Sequence, residues 1–250
     1  MTPIRTVLDA NIIISGTIAP LGTSAAILDA WLAEYLEIVT CPALLNEIAE
    51  KLRLPRIRKR YPISDTDVLN LLLRFGQSAQ LVPGVAPVNP PPPDPDDTML
   101  FSAAIESAAD YIITGDRALL EFPWTGPGKV VSPRQFWEQE FPRQLALALS
   151  YPVIALEDLS ARRFYTIDWE GRTCVALFTT RQLAEFFCQS SSLLATLVPL
   201  EDRGKLTDYL KRVSSMGCEW VAFNPVRQYC ILQPIGITLE TLERSTNPTG

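Results

Sequence analysis

The stretch that decides the fold runs from Pro93 to Asp116, PDPDDTMLFSAAIESAADYIITGD. It opens with three carboxylates in four positions, Asp94, Asp96 and Asp97. Phe101, Ala104, Ile105 and Ala108 then recur at i, i+3, i+4 and i+7, the period of an amphipathic helix. The segment Asp110-Tyr-Ile-Ile-Thr-Gly-Asp116 reads as a short buried strand that ends on a carboxylate. At about 3.6 residues per turn, Asp97 falls in line with Phe101, Ala104 and Ala108. An ionised acid at the head of an apolar face is costly to bury unpaired. Two roles answer that cost: Asp97 faces a cation, or it is the N-cap of its own helix, which aspartate does well.

Upstream, Pro3 to Leu8 reads as a strand ending at Asp9, and Ala10 to Gly16 as a brief helix. Asp9 carries the same pair of readings. It is a helix cap, or an acid at the carboxyl end of a strand, where open α/β sheets place their ligands. Thr23 to Glu34 forms an amphipathic helix and Glu37 to Thr40 the next strand. Pro42 suits the first turn of a helix that runs to about Arg53 and buries Leu44, Leu45, Ile48 and Leu52. Glu47 lies on the margin of that face, whereas Glu50 points into solvent. Arg53 to Tyr61 then gathers the only dense basic cluster, Arg53, Arg56, Arg58, Lys59 and Arg60. Such a cluster tracks a phosphate backbone or is a solvated loop. Asp65 to Phe75 is a further helix, and Gln80 to Val82 a short strand. The proline-rich Val85 to Pro95 cannot hold a helix or a ladder and acts as a stiff spacer. Lys129 to Val131 is a last strand. Strands alternating with helices imply a parallel sheet, with Asp9, Asp97 and Asp116 at strand ends or helix starts that face one edge. With Glu47 these make four acids, which would repel one another on convergence, so their convergence predicts bound Mg²⁺ or Mn²⁺.

Composition narrows the chemistry. The 250 residues fit one large domain or two small ones. Hydrophobic residues make up 47% and charged residues 20%, enough apolar mass for real cores. No apolar run approaches the roughly 18 residues of a membrane span, and no signal peptide is read at the start. The five cysteines are scattered, without CxxC spacing. They read as reduced thiols in a cytosol, not as a disulfide frame or a zinc site. The chain has no histidine, which excludes His-based triads and imidazole bases and leaves carboxylates, most simply acting through a hard cation. The net charge of −6 means that any attraction to nucleic acid must come from a local patch.

Four pieces, in order and spacing, resemble the PIN-domain family of nucleases. They are Val7-Leu-Asp9-Ala-Asn11 before Ile-Ile-Ile-Ser-Gly, Glu47 in Leu44-Leu-Asn-Glu-Ile, Asp94-Pro-Asp-Asp97 before a helix, and Ala109-Asp-Tyr-Ile-Ile-Thr114-Gly-Asp116. The segment Leu52-Arg-Leu-Pro-Arg-Ile-Arg58 resembles the branch of toxin components of toxin–antitoxin systems. The resemblance covers about residues 1–140. It implies a central parallel sheet flanked by helices and divalent-metal-dependent cleavage, usually of RNA. It carries the family's acids onto Asp9, Glu47, Asp97 and Asp116. Asp94 or Asp96 assists, and Asn11 and Thr114 stand at supporting positions. The implied partners are an RNA substrate and an antitoxin protein, with room for self-association, no membrane, and a cytoplasmic setting.

Beyond a connector at 141–150 the texture changes. Arg163 to Trp169 and Arg172 to Phe178 read as a hairpin closed at Glu170-Gly171. Residues 181–189 and 203–213 look helical, and Glu219 to Phe223 and Gln228 to Leu232 look like strands. This is an α+β accessory domain over 151–250 without an acid cluster; Val175 to Thr180 and Gly217 to Pro225 resemble the SseB-like accessory domain. The expected whole is α/β: a PIN-like parallel sheet with a second, smaller α+β domain. Two other classes compete with a metal-dependent ribonuclease. A catalytically silent PIN-like RNA-binding or scaffold protein would lack one of the acids. A receiver-type phosphoryl-transfer domain would want a strand-end lysine, for which Lys129 is the sole candidate.

Overall fold

The computed structural model describes residues 3–19, 22–158, 163–169, 171–225 and 230–244. Glu170, Gln228 and Tyr229, expected in the hairpin turn and the last strand, lie outside them. The chain divides into two units, Pro3–Trp137 and a second that begins at Glu138.

In the first unit, β1 (Ile4–Leu8) leads into α1 (Ala10–Ile18) and α2 (Thr23–Leu32). Next come β2 (Leu36–Thr40), α3 (Pro42–Arg53), α4 (Pro55–Arg58), α5 (Asp65–Ser78) and β3 (Gln80–Leu81). A 3₁₀ turn at Pro95–Asp97 opens α6 (Thr98–Ser107), followed by β4 (Tyr111–Ile113), α7 (Arg117–Leu120), β5 (Lys129–Val131) and α8 (Pro133–Gln135). The sheet order is β3-β2-β1-β4-β5, and every neighbouring pair is parallel. The register sets Thr6 beside Tyr111 and Leu8 beside Ile113.

A parallel sheet covered on both faces needs strands that are apolar throughout. Val7, Leu8, Ile38, Val39, Ile112 and Ile113 are accordingly almost fully buried. One core cluster joins Val7, Val39, Leu44, Leu100, Phe101 and Ile112. Phe101 anchors it, with ring centroids 5.2 Å from Phe122 and 4.8 Å from Trp124. A second aromatic contact stacks Trp31 of α2 on Phe75 of α5 at 4.7 Å. The expected face of α6 is met at Phe101 and Ala104, which are buried. Ala108 instead terminates the helix in the left-handed region, at φ 50°.

The order of the strands decides where a ligand can sit. From β1 the chain winds outward through β2 to β3, then returns to the other side of β1 for β4 and β5. The winding therefore reverses between β1 and β4. In open α/β sheets the crevice outside the carboxyl ends at such a reversal is the ligand site.

The proline-rich spacer is fastened to α6. Glu106 accepts three backbone N–H groups, from Gly84 at 2.7 Å and from Val85 and Ala86 at 2.8 Å. The Ser102 hydroxyl donates to the Ala86 carbonyl at 2.7 Å. Gly84 is required here: its φ is +71°, and a Cβ would lie 2.6 Å from that of Cys41.

The second unit is a mixed sheet with helices. A π-helical turn at Phe136–Glu140 precedes α9 (Phe141–Ala148), which occupies much of the segment expected as a connector and packs along the last helix, α12 (Ile235–Arg244). Between them lie β6 (Val153–Asp158), β7 (Arg163–Phe164), β8 (Thr166–Trp169), β9 (Arg172–Phe178), α10 (Arg181–Ser190), β10 (Thr196–Leu200), α11 (Arg203–Ser215), β11 (Trp220–Phe223) and β12 (Ile231–Pro234). The order is β10-β6-β9-β11-β12, with β7 on β6 and β8 on β9. Only the β9–β11 pair is parallel among these described pairings. The unit has its own core around Ile154, Leu156, Ala176 and Phe178.

Candidate functional site

Asp9 follows β1 directly and is 5% exposed. Its backbone N–H donates to the Ile113 carbonyl of β4 at 3.0 Å, which sets the ends of the two strands side by side. Its Oδ1 accepts the Asn11 backbone N–H at 2.8 Å and so caps α1. Its Oδ2 accepts the Thr114 hydroxyl at 2.6 Å. Thr114 is fully buried, and its Oγ1 also accepts the Asp116 backbone N–H at 3.0 Å. One hydroxyl therefore ties the end of β1 to the turn after β4 across the reversal point. Asp116 in turn caps α7, its Oδ1 accepting the Ala118 N–H at 2.7 Å. For Asp9 the two readings of the sequence are compatible, since it caps a helix and stands at the carboxyl end of β1; Asp116 likewise caps a helix just after β4.

Asp97 differs. It precedes α6, yet its side chain makes no capping hydrogen bond. Partial burial pushes its carboxyl up to about 6, and the charges of Asp9, Asp94, Asp116 and Glu47 push the same way. Like charges act in this sense only when they share a neighbourhood. The nearby Asp94 caps the 3₁₀ turn through the Asp96 N–H at 3.0 Å, and both Asp94 and Asp96 are exposed.

Glu47 is half-buried on the margin of α3, while Glu50 is exposed. The Lys51 ammonium lies 2.6 Å from Glu47 Oε1 and donates to Asn11 Oδ1 at 3.1 Å. The sequence reading, which counted only acids here, passed over Lys51. Its one sequence signal is the i, i+4 spacing from Glu47, which is common on solvated helices. Among the described residues, no three acidic or thiol side chains are already drawn tightly enough around one point to hold a metal.

In the basic cluster the five residues separate into two kinds. Arg53 and Arg58 both turn to Asp65, at 3.5 Å and 2.5 Å, and hold that carboxyl below the usual carboxylate range. Arg56, Lys59 and Arg60 are exposed, with the Arg60 guanidinium 5.5 Å from the centroid of the Tyr61 ring. The cluster begins at the end of α3, about 9 Å along the axis from Glu47 at 1.5 Å rise per residue.

Parts of the chain are similar to known proteins. Residues 5–118 match the family model of the PIN domain. The uncharacterized protein MJ1680 of Methanocaldococcus jannaschii is 34% identical over 117 residues, which span 47% of this chain and 74% of that protein. Among solved structures, VapBC2 from Rickettsia felis, crystallised with a DNA fragment from its promoter, aligns at 14% identity and a TM-score of 0.35, over 52% of this chain and 98% of that one. With the family's match over β1 to α7 and the relative's over much of its own length, the chain belongs to the PIN domain family of nucleases.

Proposed function

We propose that the first unit is a divalent-metal-dependent endoribonuclease that hydrolyses RNA phosphodiester bonds. Asp9, Glu47, Asp97 and Asp116 hold Mg²⁺ or Mn²⁺, and Asp94 or Asp96 assists. The observation that carries this reading is the Thr114 hydroxyl, which joins Asp9 to the Asp116 backbone where the sheet reverses. The donors are anionic oxygens, the ligands a hard divalent cation selects. The raised Asp97 carboxyl supports the same reading, since a cation is what a crowded set of carboxylates favours.

The chain's own residues divide the work. Thr114 and the Asn11 N–H fix both oxygens of Asp9, and each oxygen keeps a lone pair for a further partner. The Thr114 hydroxyl also fixes the backbone from which Asp116 projects. Asp97, free of a capping bond, is able to turn toward the crevice. Arg56, Lys59 and Arg60 hold substrate phosphates electrostatically, with Arg53 and Arg58 bracing the segment through Asp65. The chemistry supplied by a bound divalent cation is activation of a water and neutralisation of the phosphodiester's charge.

A wider role goes with this proposal. The likeness of Leu52–Arg58 to toxin components supports a cytoplasmic toxin with an antitoxin partner. The second unit serves partner binding, self-association or substrate choice, without adding a catalytic group. Cleavage of labelled RNA is the test. Activity is expected with Mn²⁺, and its loss with excess chelator or in Asp9→Asn and Asp97→Asn. Cleavage that survives in both variants under chelation sinks the assignment. Charge reversal at Arg56, Lys59 and Arg60 should weaken RNA binding and lower its salt slope by roughly 0.7 per lost contact on a single strand. Co-expression with the neighbouring reading frame examines the antitoxin idea, with co-purification and suppressed cleavage as the expected results.

A further inference from the structure

Lys51 places a cation inside an anionic constellation. Its ammonium touches Glu47 Oε1 at 2.6 Å and Asn11 Oδ1 at 3.1 Å. The spacing from Glu47 alone would describe an ordinary helix-surface pair. Two observations set it apart. The second acceptor comes from another helix, α1, two residues beyond Asp9. Glu47 is also among the carboxylates whose charge reaches Asp97. An ammonium has three donors and no acceptor. Here it uses them on a carboxylate and an amide oxygen, the same hard ligands a divalent cation takes.

We propose that Lys51 is the site's own counter-cation: it holds Glu47 and Asn11 together, and a divalent cation binds at Glu47 by displacing its ammonium. The proposal rests on the metal-dependent reading above. Lys51 is thus a positioning residue that acts through Glu47 and sets the affinity for metal. Removing its charge takes away both a competitor and a repulsive neighbour, so binding should tighten. A merely structural ion pair gives the reverse expectation, because a freed Glu47 would lose orientation and bind metal equally or less well.

Calorimetric titration of Mn²⁺ into the full chain, without RNA, distinguishes these. Lys51→Met should bind about tenfold more tightly, about 1.4 kcal/mol. Lys51→Arg, which keeps the charge, should stay near the wild type. Thermal melts identify the folded samples. If the wild type binds Mn²⁺ and folded Lys51→Met binds it no better, the counter-cation role is overturned while the metal site stands. If the wild type and both variants bind no Mn²⁺, the metal-dependent reading falls and the role of Lys51 with it. Binding seen only in Lys51→Met supports displacement in its strongest form.

Discussion

Replacing Asp97 with asparagine should make the metal-free protein more stable. The carboxyl is raised from 3.8 to about 6, roughly two units, and each unit corresponds to about 1.36 kcal/mol. About 3 kcal/mol is therefore the ceiling on what Asp97 costs the fold when ionised. The side chain is only partly buried, and solvent screening reduces the figure to about 1–2 kcal/mol. For a protein of this size, 1 kcal/mol moves Tm by roughly 2–4 °C. Asp97→Asn should thus melt roughly 2–8 °C higher than the wild type in chelator at pH 8, by the same conversion. The pH dependence provides an internal check. A carboxyl whose pKa is higher in the folded state binds protons more readily there. Its favourable contribution is complete below about 4 and is lost as pH rises through about 6. The gap between variant and wild type should therefore close near pH 4 and open fully by pH 8. Saturating Mn²⁺ should reverse the order, adding about 2.7 kcal/mol to the wild type at 100 times its dissociation constant and less to the variant. Circular-dichroism melts over pH 4 to 8, with chelator and with Mn²⁺, measure all of this. An Asp97→Asn chain no more stable than the wild type in chelator at pH 8, with no pH trend, would falsify the like-charge cluster.

Thr114→Val keeps the shape but removes a donor to Asp9 and an acceptor for the Asp116 N–H; denaturant unfolding should show a loss of about 1–3 kcal/mol, and calorimetry weaker Mn²⁺ binding. Glu106 is held below its ordinary range by the backbone N–H groups of Gly84, Val85 and Ala86. Its contribution is full above about 4.5 and lost as pH falls through the depressed value, so Glu106→Gln should flatten the acid limb of the stability curve, and an unchanged limb would count against the latch. A fragment ending at Trp137 should fold and keep Mn²⁺-dependent cleavage; a soluble, folded but inactive fragment would assign part of the chemistry to the second unit.

The first unit was legible because its strands carry their own punctuation. Val7-Leu8-Asp9 and Ile112-Ile113 followed by Thr114 to Asp116 pass from apolar run to acid within two or three residues, and nothing but a buried strand end suits that change. In the second unit the signals conflict. Pro199 argues against a strand interior, yet β10 sits at the edge of its sheet, where a missing N–H is tolerated. The sequence pattern does not assign β6 or β10. It also leaves out α12, whose Ile235, Ile237, Thr238 and Thr241 favour strands by local propensity. Packing along α9 overrides that preference. At the site, charge types could be read from the chain, but the partners of Ser102 and Glu106, and the second partner of Lys51, are tertiary. The bonds from Thr114 to Asp9 and from Lys51 to Asn11 join residues 105 and 40 positions apart, beyond the reach of any local pattern.

The central place of the first strand also shapes how the chain emerges from the ribosome. β1 is made well before β4, yet one of its two edges is closed only by Tyr111–Ile113. Until that segment appears, the nascent protein carries an open, apolar strand edge, the kind of surface that invites intermolecular pairing. The same delay has a protective side. Asp9 and Thr114 meet only when that edge closes, so an incomplete chain cannot assemble the crevice. Any cutting activity housed there would stay silent beside the message being translated until β4 is in place.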